Sequence, residues 1–214
     1  MGLVTRTHTL GPFATNAYLV SCERTRETAV IDVGFDAGAI AAEIGRLGLE
    51  VRYLLNTHAH YDHVAAMADL QERVGGTYWL HPDDRDLLDG LTLQGAAFGL
   101  PPARGPREVH PLAHGQTLPL GDATLKVIHT PGHSRGSVSF HAGDTVWDGD
   151  LLFAGSVGRT DLPGGSFEQL VASVRERIFP LGDDTLVLSG HGPETTVGIE
   201  RRSNPFVGEG ALRP

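Results

Sequence analysis

The sequence predicts an α/β protein of four layers: two mixed β-sheets stacked face to face, with helices on the outside. Three observations predict it. Strand-like apolar runs open the chain, segments of helical period follow, and strands and then a helix return in the second half. That order suits sheet packed on sheet with helices covering the outer faces, and it also suits plainer α/β topologies. Of the 214 residues, 40% are hydrophobic and 20% charged, which is enough for a packed core in one domain.

The elements follow in order. "LVTRTHTL", "NAYLVSC" and "TAVIDVG" read as the first strands, separated by Gly-Pro or charged turns. From Ala37 to Leu47, the apolar Ile40, Ile44 and Leu47 fall at helical spacing, and Gly48 stops the helix. "VRYLLN" is a short apolar strand that runs into "THAHYDH". Val64, Met67, Leu70 and Val74 then predict one amphipathic helix ending at Gly75 and Gly76. "TYWL" is a strand, and Pro82 starts a short helix in "PDDRDLLDG". Residues 90–115, rich in Gly, Pro and Ala, read as a long loop or lid-like insertion. "ATLKVIHT", "GSVSFHA" and "DTVWDGD" return to strand. Ser166 and Gln169 fit a capping box ahead of Phe167, Leu170, Val171, Val174 and Ile178, and Pro180 ends that helix. "TLVLSG" is the final strand, with a short helix near Thr195 to Arg202.

Composition narrows the function. A formal net charge of −9 opposes binding to phosphate backbones, so nucleic acid is not an expected partner. No apolar run has the length of a membrane span, and "MGLVTRTHTLGP" lacks the apolar core of a signal peptide. Arg6 stands where a myristoylation motif needs Ser or Thr. Cys22, the single cysteine, excludes an internal disulfide framework and a cysteine-rich zinc site, and it reads as a strand residue. A soluble protein of the reducing cytoplasm is expected.

The 11 histidines are the informative count. In "THAHYDH", residues two apart in an extended segment project to one side, so His58, His60 and Asp62 converge. His63 stands where a helix begins, and the positive end of the helix dipole favours its neutral, ligating form. Alone, Asp62 reads as a helix cap and any one histidine as a hydrogen-bonded loop residue. Four residues of metal-binding type in six positions argue against that joint reading. His133, Asp150 and His191 each follow an apolar strand in a glycine-containing turn. Five histidines and two aspartates suit zinc, manganese or iron rather than calcium. They exceed the need of one tetrahedral zinc and suit two divalent metals about 3.5–4 Å apart with a bridging carboxylate.

The segments "THAHYDH", "HTPGHSRGS", "DGDLLFAGSVGRTDL" and "SGHGPETT" resemble the metallo-β-lactamase-fold hydrolases, and within them the glyoxalase II-like group. The resemblance spans nearly the whole chain. It implies the αββα sandwich of that fold over residues 1–214, in one domain. It assigns His58, His60 and His133 to one metal, Asp62, His63 and His191 to a second, and Asp150 to both. It implies a hydrolase in which a metal-bridging hydroxide attacks a thioester such as S-lactoylglutathione, with lactones and other esters as alternatives. Asp62 is then both ligand and catalytic base. Zinc is the expected metal, with iron and manganese as alternatives. Arg159 matches a position that holds the glutathione moiety in glyoxalase II, and Tyr61 is a second candidate substrate contact. Only residues 192–214 follow His191, so the C-terminal helical glutathione-binding domain of full-length glyoxalase II is not expected. Persulfide dioxygenases share the fold and "GRTD"; their single iron would use His58, His133 and Asp150.

Gly132 to Gly136 also fits G-x-S-x-G, with Ser134 as nucleophile and Asp150 and His191 in triad order. An elbow needs a helix after the turn, whereas "SVSFHA" reads as a strand, so Ser134 is predicted not to be the nucleophile. His129 is expected to steady the ligand loop. Asp32 reads as a turn cap near the site. His8, His81, His110, His114 and His141 read as surface or turn residues. "GFDAG" is not a dinucleotide-binding glycine pattern.

Overall fold

The computed structural model describes residues 2–211. Its first sheet contains β1 (Leu3–Leu10), β2 (Thr15–Cys22), β3 (Glu27–Ile31), β4 (Glu50–Leu55), β5 (Thr77–Leu80) and β6 (His110–Pro111), side by side in that order. β1 to β3 pair antiparallel, and β3 to β6 pair parallel. Parallel neighbours need crossovers. These are α1 (Ala37–Leu47), then α2 (Tyr61–Val64) with α3 (Met67–Val74), then α4 (Arg85–Asp89) with α5 (Leu91–Ala97).

The second sheet contains β7 (Thr117–Leu120), β8 (Ala123–His129), β9 (Val138–Ala142) and β10 (Thr145–Gly149). After β10 comes a small separate ribbon of β11 (Leu152–Phe153) and β12 (Ser156–Val157). The sheet is completed by β13 (Leu186–Ser189) and β14 (Thr195–Thr196), giving the order β14-β13-β10-β9-β8-β7. β10 and β13 are parallel and the other pairs antiparallel, so both sheets are mixed. α6 (Phe167–Ser173) and α7 (Val197–Ser203) belong to this half.

The period of two within strands shows the layers directly. On β2, Ala17 and Leu19 pack with α1 residues Ile40 and Ile44, while Tyr18 and Val20 pack with Leu125, Val127 and Phe140 of the second sheet. On β10 and β13, Trp147 and Leu188 face the first sheet, whereas Val146 and Val187 face Leu170 and Val174. Three apolar clusters thus separate four layers, as the order of strands and helices in the sequence predicts. Among the described residues, no helix is long and apolar enough to cross a membrane.

Several local expectations change. The helix expected through Val64 and Met67 breaks between α2 and α3, because the Ala66 N–H turns out to Val33 O at 3.2 Å. Residues 90–115 are not all loop: they contain α5 and the edge strand β6. β7, the β11–β12 ribbon and β14 went unread in the sequence. Ser166 does cap α6, accepting from Gln169 N at 3.3 Å. The capping box is not closed, because Ser166 N donates to Gly132 O at 2.8 Å. The helix also runs on past Ser173 as a wider π turn, Val174–Ile178.

Candidate metal centre

Every residue singled out as a ligand stands just past the C-terminal end of a strand. His58, His60, Asp62 and His63 follow β4; His133 follows β8, Asp150 follows β10 and His191 follows β13. The two sheets bring these ends to one edge of the sandwich. His58, His60 and His133 have donor atoms within 4.8 Å of one another, and so do Asp62, His63 and His191. The His58 and His63 rings are 4.1 Å apart, so the two groups adjoin. Asp150 lies between them. Its Oδ1 is 3.4 Å from His63 Nε2, and its Oδ2 is 3.6 Å from His133 Nε2 and 3.5 Å from His191 Nε2.

Close approach of backbone makes this possible. A Cβ on Gly190 would run into Asp150 Oδ1 and the His63 ring, so glycine before His191 lets the last loop close on the other two. Gly132, at φ 141, lies against the backbone of Leu170, which seats the His133 loop on α6.

The surrounding hydrogen bonds aim the imidazoles. His63 Nδ1 donates to Asp32 Oδ2 at 3.0 Å, His133 Nδ1 to Arg159 O at 2.7 Å and His191 Nδ1 to Phe13 O at 3.1 Å. Thr57 gives its hydroxyl proton to Asp32 at 2.6 Å, so it accepts from His58 Nδ1 at 3.0 Å. In all four rings Nε2 is therefore the nitrogen turned inward, free to serve as a metal ligand once it carries no proton. His60 turns Nδ1 inward instead, 2.8 Å from His133 Nε2.

These residues fit a pair of divalent cations. His58 Nε2 and His133 Nε2 are 3.2 Å apart with lone pairs facing, an arrangement that calls for a positive charge between them. His63 Nε2 and Asp150 Oδ1 are buried and have no hydrogen-bond partner among the described residues. The donor set is imidazole and carboxylate, which suits zinc, iron or manganese.

Without metal the two groups carry different charge. Burial holds His58 well below the ordinary histidine value and lowers His60 to about 3, helped in each case by neighbouring histidines. In the second group burial acts in the same sense but is outweighed. Asp62 and Asp150 hold His63 well above its ordinary value, and hydrogen bonds to Asp150 and Asp62 raise His191 to about 10. Burial would raise Asp62, yet His63 and His191 bring it down to about 2.

Asp32 is more than a turn cap. It sits at φ 56, is 1% exposed, and accepts from Thr57 N at 2.8 Å and Asn56 Nδ2 at 3.0 Å besides Thr57 Oγ1 and His63. The sequence reading passed over two other residues. Buried Asp84 accepts from Ala59 N at 3.0 Å, Ser134 Oγ at 2.8 Å and Gly136 N at 2.7 Å, which ties the loop of His58 and His60 to the loop of His133. Gln94 of α5 accepts from Tyr61 N at 3.1 Å and donates to Ala59 O at 3.1 Å, so the 90–115 segment braces the ligand loop. Ser134 is fully buried on Asp84 and Ser137, with no access to a substrate.

The candidate substrate contacts divide. Tyr61 is 6% exposed and donates to Pro101 O at 2.8 Å, so it packs beneath the surface and does not line the mouth. Arg159 is exposed and pairs with Asp161 through two contacts of 2.7 Å, beside the ring its carbonyl holds. His129 Nε2 donates to Arg135 O at 2.9 Å, steadying the ligand loop as expected. His81 stacks on His129 at 4.2 Å with a 7° tilt, and such parallel rings do not converge on one point.

The sequence profile of the metallo-β-lactamase superfamily matches residues 10–191. A hydroxyacylglutathione hydrolase, GloC, of Haemophilus influenzae is 37% identical over 191 residues, covering 85% of this chain and 88% of that protein. The structure of TTHA1623 in a di-iron-bound form is similar, with TM-score 0.87 and 43% identity over 94% of this chain and 99% of the other. That of BLEG-1 B3 metallo-β-lactamase has TM-score 0.87 and 37% identity, covering 95% and 99%. With these similarities and the His/Asp groups at the strand ends, the chain belongs to the metallo-β-lactamase superfamily and is a metal-dependent hydrolase.

Proposed function

We propose that the protein hydrolyses a thioester, S-lactoylglutathione being the first candidate, at a centre of two divalent metals. The observation that carries this reading is the position of Asp150, with one oxygen toward His63 and the other toward His133 and His191. His58, His60 and His133 would hold one metal, Asp62, His63 and His191 the other, and Asp150 both. When bound, such a pair supplies Lewis acidity toward a carbonyl oxygen and brings the pKa of coordinated water toward neutrality. Zinc is the expected pair; the di-iron form of TTHA1623 makes iron the alternative.

The chain's own residues do the rest. Asp62, 19% exposed at its side chain, accepts from Thr15 Oγ1 at 2.9 Å and would take a proton from the attacking water. The water oxygen joins the acyl carbon, the C–S bond breaks, the proton held by Asp62 passes to the departing sulfur, and a thiol and a carboxylic acid leave, the acid ionising in water. Arg159, released from Asp161, would pair with a carboxylate of the thiol moiety. GloC supports a glutathione conjugate as substrate. The single cysteine, free and buried, suits a cytoplasmic setting.

The dioxygenase reading needs only His58, His133 and Asp150, and it leaves the inward-facing donors of Asp62, His63 and His191 without a task. Metal analysis of protein purified without added metal, with S-lactoylglutathione and glutathione persulfide assays, tests the proposal. Two metals per chain and thioester turnover are expected. One iron per chain with persulfide-dependent oxygen consumption would overturn it.

A further inference from the structure

The mouth of the centre has two unlike sides. On the His133 side stands exposed Arg159. On the His191 side stands a row of aromatic rings. Phe13, whose carbonyl holds His191, is 39% exposed, and Phe98, at the end of α5, is 56% exposed. Their rings meet edge to face at 5.5 Å. Phe35 continues the row, 6.4 Å from Phe13 and 6.1 Å from Tyr61. Phe153 closes the other flank of His191, ring to ring at 6.1 Å.

Exposed aromatics clustered beside a polar site mark a binding surface for apolar ligand, because water leaves both partners on contact. Both exposed rings are tied to the centre by backbone: Phe13 through His191, and Phe98 through α5, whose Gln94 holds the ligand loop. We infer that Phe13 and Phe98 form an acyl-binding wall, and that among thioesters those with an apolar acyl group larger than lactoyl are preferred. This rests on the thioesterase reading above. The acyl chain lies along the wall, and the thiol moiety, where its charge is, lies toward Arg159.

The test uses thioesters of one thiol, N-acetylcysteamine, with acetyl, butyryl, hexanoyl and phenylacetyl groups, on the metal-loaded protein. The expected kcat/KM rises by roughly fourfold per buried methylene. Phe13→Ala and Phe98→Ala flatten that rise, each lowering phenylacetyl turnover by roughly tenfold, with metal content and Tm as folding controls. A second readout is binding of the products: phenylacetate binds more tightly than acetate by calorimetry, and Phe98→Ala removes the difference. Equal rates for all acyl groups, or a rise that survives both substitutions, overturns the wall. If no thioester is hydrolysed by protein holding two metals, the thioesterase reading fails. The wall is then decided by the product titration alone: equal binding of the two acids overturns it.

Discussion

His60, in one half of the metal centre, is kept neutral by burial down to about pH 3, whereas His191, in the other half, keeps its proton to about pH 10 through Asp150 and Asp62. Both halves are built the same way, from loops at strand ends. They differ in that one is all imidazole and the other includes carboxylates. The first half is therefore ready to bind a cation at neutral pH. The second must give up protons before it binds. One fold edge thus holds two candidate sites of different chemistry, with Asp150 between them.

The largest effect is expected where the halves join. Asp150→Ala removes the shared oxygen ligands and should lower kcat by about a thousandfold, several kcal/mol at 1.36 kcal/mol per tenfold. Steady-state kinetics with metal analysis checks this, and a variant that keeps two metals and near-normal turnover would separate the halves. Next comes Asp32, which supports His63 directly and His58 through Thr57. Asp32→Asn keeps a residue type that tolerates the left-handed backbone but loses the charge. Metal affinity should fall roughly 10- to 100-fold in both halves, read by chelator competition. A loss confined to the His63 half would show that Thr57 does not carry the effect to His58.

The pH dependence separates the halves without mutation. His191 is raised to about 10, so between pH 6.5 and 9 it is protonated in the metal-free protein, and a proton must leave on ligation. Affinity of the second half should therefore rise with pH across that window. Affinity of the first half should rise less steeply, since burial already keeps His58 and His60 neutral. Chelator competition at pH 6.5, 7.5 and 8.5 reads both slopes, and equal slopes would remove the distinction.

The smallest effect on catalysis is expected at Ser134. Ser134→Ala loses a buried hydrogen bond to Asp84 and should cost about 1.5–3 kcal/mol of stability by denaturant unfolding. Turnover should stay within about twofold. Near-total loss of activity with the fold intact would restore the nucleophile reading.

The candidate ligands could be picked out because their signal is local: four His and Asp residues within six positions, and three more after apolar strands. The four layers were legible from the order of strands and helices, and the structure shows β2, β10 and β13 turning alternate residues to two apolar clusters. The supporting residues were less so, since their partners lie far along the chain. Asp84 reaches Ser134, 50 residues away, and Asp32 reaches His63, 31 away. Nothing near "PDD" marks one aspartate as buried. β6, β11, β12 and β14 have two residues each, too short for any period to show. The break after α2 depends on one bond from Ala66 to Val33, which no local pattern announces. Tyr61 was misplaced for a related reason: lying between two ligands does not tell which way a ring turns.

Calorimetric titration of the metal-free protein with zinc at pH 7.5, in buffers of different ionisation enthalpy, tests the two-halves account most directly. Two binding events per chain are predicted. The event at the Asp62, His63 and His191 group should release more protons than the event at the His58, His60 and His133 group, the His191 proton among them. A single event at one metal per chain, or two events with equal proton release, would contradict it.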